Sequence, residues 1–292
     1  MSKLSSSLKA LIAAPYARPN TLPASPHARS VYEALRSEAS GKNVGTPAWL
    51  TLSTAATMTM NSPEGLAQIY EIATEKSKDK AQSVQTAELM REVGLKCIGF
   101  NGVPRTINCL GAFRSSLPSE IVSGLSTQPT RNSSPKNIND ILNRGSALWT
   151  SIYRPFDSKL FSKLADSHPD LPIFIVNHEY GALFADPPEL GHQIRPGAKI
   201  GRVLTSVVAV ACLRAQTGVG PQVTSHVFGL RKAFEDESFK AEGESKVEGG
   251  EWLASEEGNT WLLEAIDRIV EALGEGRGSS FAPGIDKVKE KL

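Results

Sequence analysis

The chain carries almost no charge imbalance: 32 Lys and Arg against 31 Asp and Glu leave a formal net charge of +1 over 292 residues. A nucleic-acid binder shows a basic excess on some face, so nucleic acid is not expected as a partner. No stretch of about 18 uninterrupted apolar residues exists, so no transmembrane helix and no membrane partner are expected. Cysteine is scarce. Cys97, Cys109 and Cys212 are too few and too irregularly spaced to staple a secreted scaffold, and a reducing compartment is the simplest reading. Period-two alternation of apolar and polar residues is nearly missing, which argues against sheet. There is no Gly-x-Ser-x-Gly, no phosphate-binding glycine loop and no dinucleotide fingerprint. His168, His178, Glu179 and His192 lack metal-ligand spacing, so neither a metal nor another cofactor is expected.

The N-terminus also lacks acid: Glu33 is the first acidic residue, while Lys3, Lys9, Arg18 and Arg29 are spread through a Ser- and Ala-rich segment. That is the composition of a mitochondrial transit peptide, so the mitochondrial matrix is the expected compartment, with the cytoplasm as the alternative. The plainer reading is an arm that packs on the body through Leu8, Leu11, Ile12 and Tyr16, with Pro15, Pro19, Pro23 and Pro26 keeping the rest extended. The C-terminal Lys291-Leu292 is like the end of a peroxisomal Ser-Lys-Leu signal, but Glu290 stands where a small residue belongs, and the likeness is discounted.

What is present is helical patterning. Val31, Leu35 and Ala39 recur every four residues. The run from Thr46 to Met60 is apolar or small almost throughout, and periodicity alone leaves it as buried helix or strand. Ser62-Pro63 opens a helix carrying Leu66, Ile69, Tyr70 and Ala73. Residues 75–86 read as a solvated loop or helix end. A helix over 86–100 buries Leu89, Val93 and Cys97, then Gly102-Val103-Pro104 breaks the chain before a helix expected to turn Ile107, Leu110 and Ala112 or Phe113 inward. Further helices follow over 141–153, from Asp157, and from His168-Pro169-Asp170, the last carrying Leu171, Phe174, Ile175 and Val176 on to Phe184. The valines of 203–215 favour strand, but the length of the run favours a buried helix. Gly218-Val219-Gly220-Pro221 breaks it ahead of Val223, Val227, Leu230 and Phe234, and Asn259 caps a last helix bearing Leu262, Ile266, Ile269 and Leu273. The fold class is therefore all-α. The chain divides into an N-terminal arm or transit segment (1–29), a helical unit (30–125), a linker without apolar side chains (126–137), a second unit (138–234), a mobile acidic loop (235–251) and a C-terminal helix and tail (252–292). Each unit repeats the order of proline-started helix, loop, apolar helix, Gly/Pro break and helix. Superposing Pro104 on Pro221 also aligns Val93 with Val210 and Arg114 with Arg231, which raises a tandem duplication.

Glu88 to Phe113 (ELMREVGLKCIGFNGVPRTINCLGAF) resembles the core helix pair of the carboxymuconolactone decarboxylase family, within the alkyl hydroperoxidase D-like superfamily. His168-Pro169-Asp170-Leu171 with Tyr180-Gly181 resembles its entry helix. Arg202 to Gly229, with Pro221-Gln222-Val223-Thr224-Ser225-His226, resembles its core pair and typical histidine. The resemblance covers roughly residues 45–120 and 144–234. It implies a helical bundle in two degenerate copies, a pseudo-dimer that assembles further into a homo-oligomer. The family's redox branch uses Cys-x-x-Cys with a histidine three residues on, because one thiol attacks and the other resolves. Here Val219 and Gln222 precede His226, and Gly102 and Arg105 precede Cys109, so neither copy holds the pair. The resemblance then implies non-redox acid–base chemistry on a small organic acid or lactone. Arg105 and Asn108 would bind this small-molecule substrate and His226 would transfer the proton, with Glu92 as an orienting group. Two alternatives stay open: an oxidoreductase using a lone cysteine, Cys109 or Cys97, and a non-catalytic assembly protein that kept the fold. Arg105 read as an ion-paired surface group, His226 and Cys109 as satisfied core residues and Glu92 as a solvated one are the structural counterparts.

Overall fold

In a computed structural model, which describes residues 4–188, 195–241 and 243–275, the chain is all-α, with no strand among those residues. The elements are α1 (Ser6–Ile12), α2 (Pro26–Gly41), α3 (Thr46–Thr59), α4 (Pro63–Thr74), α5 (Lys80–Lys96), α6 (Ile98–Asn101), α7 (Val103–Ser116) and α8 (Ser119–Val122). They continue as α9 (Ile138–Tyr153), α10 (Asp157–Ser167), α11 (Asp170–Phe174), a π-helix (Ile175–Phe184), α12 (Gly201–Gln216), α13 (Gly220–Glu235), α14 (Gly250–Ala254) and α15 (Glu256–Gly274).

Local chemistry accounts for the boundaries. Ser25 caps α2 by accepting from Ala28 N (3.2 Å), with Pro26 at the first helical position. Asp79 caps α5 by accepting from Ala81 N (2.8 Å), so that helix begins six residues before the expected start. The corner between α6 and α7 needs Gly102, whose φ of +77° disfavours any side chain, and Pro104 then sets the first turn of α7. Both ambiguous runs are helices. α3 and α12 are buried along nearly their whole length and are each other's main packing partner, because their small side chains let two backbones approach. α15 lies against both. Ser255, not Asn259, caps α15 by accepting from Gly258 N (3.1 Å); Asn259 sits one turn inside and donates to Ser255 O.

The main core draws on both halves of the chain: Trp49, Leu52 and Ile69 share it with Val207, Val210, Leu262 and Ile266, all buried. A smaller aromatic cluster holds Trp149, Ile152, Val176, Tyr180 and Phe184. There α9 and the π-helix run so close that a Cβ on Gly145 would lie 2.5 Å from Val176 O and 2.6 Å from Gly181 Cα. Four expectations are corrected. Ile107 is 65% exposed; α7 buries Phe113 as expected, but with Thr106 and Cys109 on the same side, a stripe at spacings of three and four that leaves Ile107 outside it. Leu171 and Phe174 point out, and Pro172, Val176, Tyr180 and Phe184 point in, a stripe at spacings of four that misses positions 171 and 174. Leu8, Leu11 and Ile12 do not pack on the body: α1 buries nothing, and the chain first joins the core at Leu22 and Ala24. Pro26 opens α2 instead of holding the chain extended, because its fixed φ suits the first helical turn. In the acidic loop, Glu248 O accepts from Gly45 N (3.1 Å) and Glu244 Oε2 from Arg202 N (2.7 Å). Tyr16's side chain, His192 and the C-terminal Lys291-Leu292 lie outside the described residues.

Candidate functional site

The residues singled out in the sequence separate into three places. Arg105 opens α7 half-buried and donates to Thr59 O, so its guanidinium closes the C-terminal end of α3. Cys109, one turn further along, is buried and donates weakly to Asn61 Oδ1 (3.8 Å); Asn108 Nδ2 reaches the same oxygen at 3.4 Å. Burial pushes the Cys109 thiol up to about 12, although the charge of Arg105 pulls the other way.

Glu92 is neither solvated nor near these groups. It is fully buried on α5 and is held by Arg131 and, at 3.3 Å, by Arg195. Arg131 also donates to Leu183 O (3.1 Å). One carboxylate thus fastens residues 131 and 195 to the bundle, a structural role. Lys96, fully buried on the same helix, repeats the device by donating to Asp186 Oδ1 (2.6 Å) and Phe184 O. Asp186 Oδ2 accepts from Ile200 N and Gly201 N at 3.0 and 2.7 Å. Burial alone would raise Asp186, but Lys96 and these amide bonds outweigh it and hold its carboxyl low.

His226 forms the third place. Residue 226 on α13 faces Tyr153 on α9, and Nε2 lies 3.1 Å from Tyr153 Oη, which lies 2.9 Å from Tyr180 Oη on the π-helix. Phe100 stands edge-on, with ring centroids 6.3 Å apart. Desolvation, helped by the nearby Arg202 charge, lowers His226 from 6.5 to about 4, so the imidazole is neutral at physiological pH. Burial raises both tyrosines. The neutral imidazole, Tyr153 and Tyr180 form an uncharged chain of hydrogen bonds, and Nδ1 is buried with no hydrogen-bond partner. Arg202 beside it is 3% exposed; it donates to Ser206 Oγ (2.7 Å), Ser151 O (3.0 Å) and Gly229 O (2.7 Å), all uncharged.

Two of the three thiols meet in the core. Cys97 Sγ lies 3.5 Å from Cys212 Sγ on α12, both fully buried, and burial raises Cys97 well above the ordinary thiol range. A thiolate nucleophile needs an exposed, electropositive setting, and these sites offer the opposite. Among the described residues no group of three or more His, Cys, Asp or Glu is placed to hold a metal ion, and no helix is long and apolar enough to cross a membrane.

Sequence reading missed Tyr153, Tyr180 and Arg202. Arg202 left a trace, as a charge at the head of an otherwise apolar run; the tyrosines left none, since their role exists only where α9, α13 and the π-helix converge.

A Saccharomyces cerevisiae protein named Peroxisomal protein 2 is 30% identical over 164 residues, covering 50% of this chain and 54% of that protein. The chain therefore spans about half the length of the curated relative it matches. No family model and no solved structure matches the chain.

Proposed function

We propose that this chain is a carboxymuconolactone decarboxylase-like protein, built from two degenerate copies, that acts on a small organic acid or lactone by non-redox acid–base chemistry. The observation that carries the reading is the neutral, buried His226 hydrogen-bonded through Tyr153 to Tyr180 (3.1 and 2.9 Å) beside the buried cation of Arg202. In this reading Nε2 of His226 exchanges the proton through Tyr153 Oη, and the Arg202 charge favours an anionic substrate and intermediate. Arg105 and Asn108 are not needed for that step, because both are engaged on α3 and the following turn. The buried thiols argue against the lone-cysteine alternative.

The test is turnover of carboxymuconolactone and a panel of related lactone acids, followed by lactone absorbance and CO2 release. Activity that falls at least about a hundredfold in Tyr153→Phe and His226→Gln supports the reading. No turnover by the parent protein, or full activity in both variants, refutes it. Peroxide consumption dependent on Cys109 would favour the oxidoreductase instead, and a stable homo-oligomer inert toward every substrate would favour the assembly protein. The relative's name suggests a peroxisomal compartment for this chain too, in place of the mitochondrial matrix. Fractionation of the untagged protein with either organelle decides between them.

A further inference from the structure

A cleft of about 440 Å³ lies over the start of α12; it shares Arg202 with the surroundings of His226 but is not lined by His226, Tyr153 or Tyr180. One wall is α9, with Arg144 and Leu148; the other is formed by Phe184, Pro187 and Lys199, and Arg202 lies along it. The helix N-terminus is not itself the attraction, because its first amides are already used: Asp186 accepts from residues 200 and 201, and Glu244 from residue 202. The side-chain cations are what lack a counterpart. Arg144 Nε is buried without a hydrogen-bond partner, and so is Arg202 Nε. Among the described residues no carboxylate pairs with Arg144, Lys199 or Arg202. Lys96 pairs with Asp186, which leaves Glu244 as the remaining acidic side chain in the lining beside three cations. The Arg202 guanidinium, 3% exposed and hydrogen-bonded to neutral oxygens only, feels Asp236 and Glu244 through space but is paired with neither, and a bound anion would offset its burial directly.

We propose that this cleft binds a small organic acid bearing two or three carboxylates, with Arg144 and Lys199 gripping it from opposite walls over the buried charge of Arg202. The apolar surface of Leu148, Phe184 and Pro187 between the two cations selects a molecule with a hydrocarbon body over an inorganic anion. Arginine presents a planar fork that matches a carboxylate, and lysine adds a point charge.

Calorimetric titration of the full chain with citrate, glutarate and inorganic phosphate tests this. Saturable one-to-one binding of a polycarboxylate is expected, weakened at least about tenfold in the Arg144→Gln/Lys199→Gln double variant and unchanged in Arg105→Gln. A second measurement needs no variant: citrate should protect Lys199 from an amine-acylating reagent, mapped by mass spectrometry, while leaving the exposed Lys240 fully reactive. Absence of saturable polycarboxylate binding, tighter binding of phosphate than of either organic acid, or equal labelling of Lys199 with and without citrate would overturn the assignment. The site is defined by binding alone. Binding without turnover therefore supports it while refuting the acid–base reading, and turnover without saturable polycarboxylate binding does the reverse.

Discussion

Replacing His226 by Gln should remove most of one specific component of acid sensitivity. The native imidazole titrates near 4 against 6.5 in the unfolded chain, because burial and Arg202 disfavour its charged form. The unfolded state therefore binds the proton more readily, and stability present above pH 6.5 is lost as pH falls towards 4. The linkage relation gives a loss of about 3 kcal/mol by pH 4, for a shift of about 2.5 units at about 1.4 kcal/mol each, less the fraction already protonated in the fold. Gln is neutral throughout, and its amide can keep a hydrogen bond to Tyr153 Oη. Other groups add their own pH dependence: burial raises Glu179 and Glu244 above the ordinary carboxylate value. The quantity to measure is thus the difference between parent and variant. Urea unfolding followed by circular dichroism at several values from pH 7.5 to 4 gives it. The variant's cost at pH 7.5 should shrink steadily on acidification, with the two stability curves converging by about 3 kcal/mol. Parallel curves would mean that His226 titrates alike in both states and is not the desolvated group described here.

Removing the Glu92 carboxylate leaves Arg131 and Arg195 buried without their counter-charge, so Glu92→Ala should cost about 3–5 kcal/mol, read from urea midpoints. Gly145→Ala drives a methyl into the π-helix backbone and should cost about 1–3 kcal/mol, with changed tyrosine and tryptophan near-ultraviolet dichroism from the adjacent aromatic cluster; an unchanged Tm would refute the close approach. Ellman's reagent should find no reactive thiol in the native protein and three in denaturant, since Cys97, Cys109 and Cys212 are all buried; a fast-reacting native thiol would reopen the thiol chemistry. Ser255→Ala removes the cap of α15 and should cost about 1 kcal/mol, seen as a lower Tm.

Much of the fold is legible in neighbouring residues. Proline after serine at 62, and the Gly102-Val103-Pro104 and Gly220-Pro221 breaks, mark helix ends through φ preferences and missing donors that operate within one turn. Spacings of three and four identify α2, α4 and α15 and their buried faces. On α7 the expected burial of Phe113 holds but that of Ile107 does not: at 100° per residue the two lie about 120° apart around the helix, and only the Phe113 side meets a neighbour.

The all-α class and its break points were written in the sequence, because they follow from interactions among residues a few positions apart. The pairing of α3 with α12, the meeting of Cys97 with Cys212, the grip of Arg131 and Arg195 on Glu92, and the tyrosines around His226 join positions separated by dozens of residues or more. Chain spacing does not encode such proximities. They come into being when apolar faces find each other, and the same burial that brings the groups together sets their charge states.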